Sequence, residues 1–220
     1  MARILVINPN SSQSVTTSID EALAPLRWPG GPTIDCVTLK EGPPGIETQA
    51  HVESVVEPIA RRVGADTADA YVIACFSDPG LYLARETVRK PVVGIAESAI
   101  LLAAGLAYRF GIIAILPTSI PRHLRYVRSL GFEHRLAGDR ALGVGVEGLA
   151  DRAAVIDKIV AAGSRLRDED GAQVVLLGCA GMGRYRPELE DRLGIPVVDP
   201  CQAAVARATS LLALGYGKIA

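Results

Sequence analysis

Ile4-Leu5-Val6-Ile7-Asn8-Pro9-Asn10-Ser11, near the start of the chain, has a counterpart in Ile112-Ile113-Ala114-Ile115-Leu116-Pro117-Thr118-Ser119, an offset of 108 residues from 4 to 112. Each is an apolar run without alternation that ends in polar residues able to cap a helix. A strand covered on both faces reads this way just before a helix begins. Two further segments repeat in the same order. Tyr71-Val72-Ile73-Ala74-Cys75 parallels Val174 to Leu177 with Gly178-Cys179, 104 residues on from 75 to 179, and Pro91-Val92-Val93 parallels Pro196-Val197-Val198, 105 residues on from 91 to 196. Val-rich strands resemble one another by chance, but three matches at nearly constant offset favour a duplication.

Outward from these segments, short Val- and Ile-rich runs alternate with amphipathic stretches, the pattern of an α/β protein. Strands are predicted at residues 3–8, 33–39, 70–74, 91–94, 110–116, 173–177 and 195–198, with a weaker one at 132–136. Val52, Val55, Val56, Ile59 and Val63 repeat at helical spacing, as do Val155, Ile156, Ile159, Val160 and Leu166, and both stripes read as core. Two similar α/β lobes are expected. No Ser/Gly-rich linker separates them, so they should pack closely, with the chain crossing near residues 95–105.

The chain has 220 residues and a formal net charge of −1, which excludes a strongly basic nucleic-acid footprint. With 49% hydrophobic and 21% charged residues it has the composition of a folded globular protein, not of a disordered one. Four cysteines are too few for a disulfide scaffold. Only Ile4 to Ile7 are apolar before Asn8-Pro9, too short a run for a signal segment, so a cytoplasmic location is expected. The apolar stretch from Ser98 to Pro121 carries Arg109, Gly111 and Pro117 and reads as a buried helix followed by a buried strand, so no membrane association is expected.

Each repeat carries a cysteine at the carboxyl end of a buried strand, where ligands bind in open α/β sheets. Cys75 precedes Phe76-Ser77-Asp78-Pro79-Gly80, in which Ser77 or Asp78 can cap a helix, and Cys179 precedes Ala180-Gly181-Met182-Gly183. A helix start after each would favour thiolate over thiol and draw the pKa toward neutrality. Cys36 and Cys201 read as inert packing thiols. Two acid–base groups facing each other across a cleft suit one reaction type, in which a proton leaves one face of a carbon and returns on the other. A redox disulfide between Cys75 and Cys179 stays as a rival. No Cys or His spacing suggests a metal site, and His51, His123 and His134 read as surface or helix histidines.

Gly143-Val144-Gly145-Val146-Glu147-Gly148 has the letters of a dinucleotide fingerprint. It is discounted because residues 138–142 look polar and loop-like where a strand is required, which makes the segment a connection. Arg122, Arg125 and Arg128 recur every three residues and read as a solvated helix face.

Val6-Ile7-Asn8-Pro9-Asn10-Ser11-Ser12, Gly45-Ile46-Glu47, Ala74-Cys75-Phe76-Ser77-Asp78-Pro79-Gly80-Leu81, Pro91-Val92-Val93-Gly94-Ile95-Ala96-Glu97 and Leu177-Gly178-Cys179-Ala180-Gly181-Met182 together resemble the Asp/Glu/hydantoin racemase superfamily, most closely its hydantoin and allantoin racemase branch. The resemblance implies a cofactor-independent isomerase with two flavodoxin-like lobes, residues 1–95 plus 200–220 and residues 96–199, and a site in the cleft between them. It also implies that Cys75 and Cys179 are catalytic. The amino-acid racemases carry an Asp at the end of the first strand and Thr-His or Thr-Glu after the second cysteine, where this chain has Asn8-Pro9-Asn10 and Ala180-Gly181. A free amino acid benefits from charged helpers because its α-hydrogen is weakly acidic. A cyclic imide or ureide already acidifies its carbon, so neutral groups suffice.

The expected reaction is therefore two-base inversion of a 5-substituted hydantoin or related ureide, with no cofactor and no metal. Asn10, Ser11, Phe76, Ser77, Thr118, Ala180 and Gly181 are the expected substrate-binding residues, though Asn10, Ser11 and Thr118 suit helix capping equally. Glu47 and Glu97 read as helix charges outside the catalytic set. The alternatives are a relative of arylmalonate decarboxylase, maleate isomerase or an amino-acid racemase, and a non-catalytic two-lobed small-molecule-binding protein. Decarboxylases of the superfamily keep the second cysteine and lack the first, so Cys75 weighs against that alternative. A homo-oligomer is expected, with a small-molecule substrate and no nucleic-acid partner.

Overall fold

The computed structural model describes residues 1–217. The final positions of the predicted first lobe, 218–220, lie outside the described residues. Two four-stranded sheets, all parallel, carry the fold. The first runs β2-β1-β3-β4, from β1 (Arg3–Asn8), β2 (Thr33–Thr38), β3 (Ala70–Ile73) and β4 (Val92–Gly94). The second runs β6-β5-β7-β8, from β5 (Phe110–Ala114), β6 (Leu136–Ala141), β7 (Val174–Leu177) and β8 (Val197–Val198). Strand order repeats with a shift of four, so β5 takes the place of β1 and β7 that of β3, as the sequence repeat implies.

The unbroken apolar runs have a physical cause in the layers. Ile4 and Val6 of β1 pack with Val15 and Ile19 on one face, while Leu5 and Ile7 pack with Val55, Ile59 and Val63 on the other. Both faces are dry from Ile4 to Ile7, so none of these four positions is left for a polar residue. Each fully buried Ile, Leu or Val contributes roughly 1.5–3 kcal/mol. One apolar cluster contains Ile4 and Val6 of the first sheet and Ile113, Val175 and Leu177 of the second, so the lobes share a core.

Helices α1 (Gln13–Ala22), α2 (Gln49–Ser54), α3 (Val56–Gly64) and α4 (Leu81–Thr87) belong to the first half of the chain, and α5 (Ile95–Leu106) joins the two sheets. The second half holds α6 (Ile120–Ser129), α7 (Arg152–Asp168) and α8 (Arg186–Leu193), and α9 (Pro200–Ala213) returns to pack on α5, β3 and β4. No helix among the described residues is long and apolar enough to cross a membrane.

One strand departs from the expectation. The predicted strand at 132–136 is instead a short 3-10 turn, Glu133–Arg135, and the strand β6 occupies the segment read as a polar loop. As an edge strand it is only half-buried, and its charges are individually partnered: Asp139 with His123, and Arg140 with Asp170 and Glu169. A strand therefore does precede the glycine-rich segment, and the polar-loop ground for discounting the fingerprint fails. After β6, however, the chain forms a strap and a 3-10 turn, Glu147–Ala150, before α7 begins at Arg152, instead of the immediate helix start that a pyrophosphate needs.

Candidate active site

Cys75 follows β3 and Cys179 follows β7, and because these strands hold equivalent places in the two sheets, both thiols reach one cleft. The cleft measures about 420 Å³ counted with the solvent at its mouth, and Asn10, Cys75, Phe76, Ser77, Cys179 and Ala180 line it. The two sulfurs are held alike: the Ser77 backbone N–H donates to Cys75 Sγ, and the Gly181 backbone N–H donates to Cys179 Sγ. All four cysteines are free thiols. Cys201 is fully buried and Cys36 half-buried.

The expected drift of these thiols toward neutrality is not found. Burial pushes Cys75 up to about 12, against the pull of the Ser77 N–H and the Arg122 guanidinium. Burial likewise pushes Cys179 up to about 11, and the Glu47 carboxylate adds to the rise. The reason lies in the local backbone. Neither sulfur sits at the mouth of a full helix, since α4 begins only at Leu81 and a 3-10 turn, Ala180–Tyr185, follows Cys179. One N–H per sulfur does not offset desolvation.

Asp78 has a different task from the expected one. Helix α4 is preceded by Gly80 with no side-chain cap, whereas the Asp78 carboxylate accepts from the first backbone N–H groups of α5, Ala96 at 3.0 Å and Glu97 at 2.8 Å, and from Tyr126 Oη at 2.8 Å. It is 6% exposed, and burial raises its pKa to about 6 although these three donors oppose the shift. Among the described residues it is the one non-glycine with positive φ, 42°. That backbone is costly for a residue with a Cβ and persists because the three donors hold it. Gly94 must lack a Cβ here, since one would lie 2.2 Å from Asp78 Oδ2. Asp78 thus ties the turn that carries Cys75 to α5 and α6.

Asn10 Oδ1 accepts from Ser12 N at 3.0 Å and Asn8 Nδ2 at 2.9 Å, which fixes the loop before α1. Its own amide N–H groups have no partner among the described residues. The other expected binding residues stand elsewhere. Ser11 uses its backbone N–H on Pro43 O, Thr118 is exposed with Oγ1 donating to Glu47 O at 3.3 Å, and Gly181 serves the Cys179 sulfur from outside the cavity wall.

Ser119, Arg122 and His123, at the start of α6, line the cavity and were missed. Of the two readings, surface or helix, His123 takes the second and is buried on α6; its Nδ1 lies 2.8 Å from Asp139 Oδ2 and its ring meets Phe76 edge-on, with centroids 5.1 Å apart. Arg122 is half-buried against the cavity, while Arg125 and Arg128 are exposed as read. The repeat held the clue: Pro117-Thr118-Ser119 corresponds to Pro9-Asn10-Ser11, so the helix after it must also start at the cleft. Glu47 stands behind the cavity lining and joins two of its segments. Its Oε1 accepts from Val146 N at 2.8 Å, drawing the strap after β6 against the 45–47 loop, and Ile46 and Val146 both face the cavity. Among the described residues no three His, Cys, Asp or Glu side chains gather as a metal ligand set.

A duplicated parallel-sheet architecture with one thiol per half at the shared cleft agrees with the comparison to known proteins, in which residues 4–208 match the Asp/Glu/hydantoin racemase family. The chain belongs to that family. Within it the chain falls with the hydantoin and allantoin racemases, and it is an isomerase of the racemase type. It is 40% identical to the hydantoin racemase of Paenarthrobacter aurescens over 220 residues, covering 97% of this chain and 92% of that one. The allantoin racemase structure from Klebsiella pneumoniae superposes with a TM-score of 0.93 at 34% identity, covering 98% of this chain and 89% of that one. Unliganded arylmalonate decarboxylase, with a TM-score of 0.64 at 24% identity over 96% of this chain and 92% of that one, shares the fold.

Proposed function

We infer that this racemase inverts the acidic carbon of a 5-substituted hydantoin or related ureide by 1,1-proton transfer between Cys75 and Cys179. The observation that carries the reading is the matched pair of thiols, each just after an equivalent strand, each with the N–H two residues on directed at it, and both lining one cavity. The two charges oppose each other, since ionised Cys179 raises Cys75 further. Double ionisation of the pair is therefore disfavoured, and a two-base inversion needs one thiolate and one thiol.

The thiolate takes the hydrogen from the ring carbon, and the electron pair of that C–H bond moves into the ring carbonyl as an enolate. The opposite thiol then gives its proton to the other face. One S–H bond forms and one breaks, so the enzyme ends with its proton on the other sulfur, ready for the reverse enantiomer. The Asn10 amide and the Ser77 and Ser119 hydroxyls are neutral donors for the developing enolate oxygen. No Asp or Glu lines the cavity, which suits a carbon acid that its own ring activates. The lobes divide at residues 1–95 plus 200–220 and 96–199 in this reading, with the cleft at their junction. Proton NMR of a single enantiomer of a 5-substituted hydantoin or allantoin in deuterated buffer tests it. Loss of the C5 proton together with loss of optical rotation is expected, and a proton that never exchanges for any such compound would overturn it.

A further inference from the structure

Beside the proposed catalytic cavity lies a second, more open groove of about 600 Å³ counted with the solvent at its mouth, bounded by Gln49, Val52, Ser77, Arg122, Arg125, Tyr126 and Ser129. Ser77 and Arg122 belong to both walls, so the groove continues the cavity outward. No Asp or Glu lines it, and two guanidinium groups do. Their hydrogen bonds leave them unneutralised. Arg122 donates to Thr118 O at 2.9 Å and Ser119 Oγ at 3.2 Å, and its buried Nε has no partner among the described residues. Arg125 donates to the neutral Gln49 Oε1 at 2.9 Å. The remaining polar side chains are neutral: the Tyr126 hydroxyl is committed to Asp78 and the Ser129 hydroxyl donates to Tyr126 O. Val52 gives the groove an apolar floor over which a short methylene chain can lie.

Resting on the proposed racemase reading, we propose that this groove is the substituent subsite and that Arg122 and Arg125 select hydantoins whose C5 substituent ends in a carboxylate. With the ring held between the thiols, a substituent leaving the cavity passes Ser77 and Arg122 and ends near Arg125. A carboxylate there replaces neutral partners with charge-assisted hydrogen bonds, which are roughly twice as strong as neutral ones. Arg122 and Arg125 are specificity residues in this role, and the transferred proton never visits them.

The test pairs 5-(2-carboxyethyl)hydantoin with its near-isosteric amide, 5-(2-carbamoylethyl)hydantoin. Calorimetry gives the ratio of their Kd values, and NMR in deuterated buffer follows C5 exchange of both in parallel. Wild type should bind the carboxylate about tenfold tighter. Arg125→Gln should reduce that ratio, and Arg122→Gln with Arg125→Gln should bring it close to one, with thermal melting confirming that the variants are folded. Equal binding of the two ligands, binding of neither, or a preference that survives the double variant would overturn the subsite. If C5 exchange is seen in those cases, the racemase reading stands alone. A carboxylate preference without any C5 exchange keeps the subsite and removes the racemase reading.

Discussion

The desolvated thiols make a quantitative prediction about alkylation of the free enzyme. At about pH 8 a thiol with the ordinary pKa of about 8.5 is roughly one-quarter thiolate. Cys179, pushed up to about 11, holds roughly 10⁻³ of its population as thiolate at that pH, and Cys75, pushed up to about 12, roughly 10⁻⁴. Since the thiolate is the nucleophile, iodoacetamide should label both two to three orders of magnitude more slowly than a free cysteine. Labelling at each thiol, read by peptide mass spectrometry from pH 7 to 10, should rise tenfold per pH unit without levelling. Activity should fall in step with labelling, because an alkylated sulfur neither takes nor gives the proton, and excess substrate should slow both by filling the cavity. A plateau below about pH 9 at either position would refute the reasoning that burial outweighs the Ser77 and Gly181 N–H groups. The same shifts fix a stability trend. The folded state keeps thiol protons that the unfolded chain releases above about pH 8.5, so stability falls as pH rises from there toward 11 and 12.

Asp78→Ala leaves two α5 N–H groups and the Tyr126 hydroxyl without their acceptor and should cost about 3 kcal/mol, a Tm loss of about 6–12 °C for a chain of this size, with racemisation falling as the Cys75 turn loosens. Asp78 and Asp199 both have folded pKa values raised from 3.8 to about 6, so each contributes stability that is present below about pH 4 and lost by about pH 6, roughly 3 kcal/mol per group. Chemical denaturation across that window should show the fall, and Asp78→Asn should remove about half of it. Glu47→Gln keeps an acceptor for Val146 N but deletes the charge that raises Cys179, so the Cys179 alkylation profile should move to lower pH while that of Cys36 stays in place. His123→Ala leaves Asp139 buried without its partner and should destabilise the fold by about 3 kcal/mol, measured as a lowered denaturation midpoint.

Where one element answers to its own residues, its reading survived the structure. Strand β1 shows as an apolar run because both its faces are dry, and the meeting of Cys75 and Cys179 at one cleft shows because the repeat puts them after equivalent strands. Strand β6 stayed hidden because its polar residues are satisfied by α6 and the end of α7, partners far away in sequence. Asp78 looks like a cap for the next helix, yet its partners lie 18 and 19 residues on. The thiol pKa values were misjudged for a related reason, since desolvation depends on how tightly two lobes close, while a helix start can be read locally. Arg122 was misplaced because a three-residue spacing of arginines does not show which one points inward.

The most direct test of the paired-thiol account is C5 deuterium exchange on each pure enantiomer by Cys75→Ser and Cys179→Ser. A hydroxyl is a far poorer base than a thiol near neutral pH, so each variant should lose racemisation by several orders of magnitude. Each should nevertheless retain exchange on one enantiomer through its surviving thiol, and the two variants should prefer opposite hands. Cys36→Ser and Cys201→Ser should change neither rate. Near-full racemisation by Cys75→Ser or Cys179→Ser, or the same preferred hand in both, would contradict the assignment of one thiol to each face of the carbon.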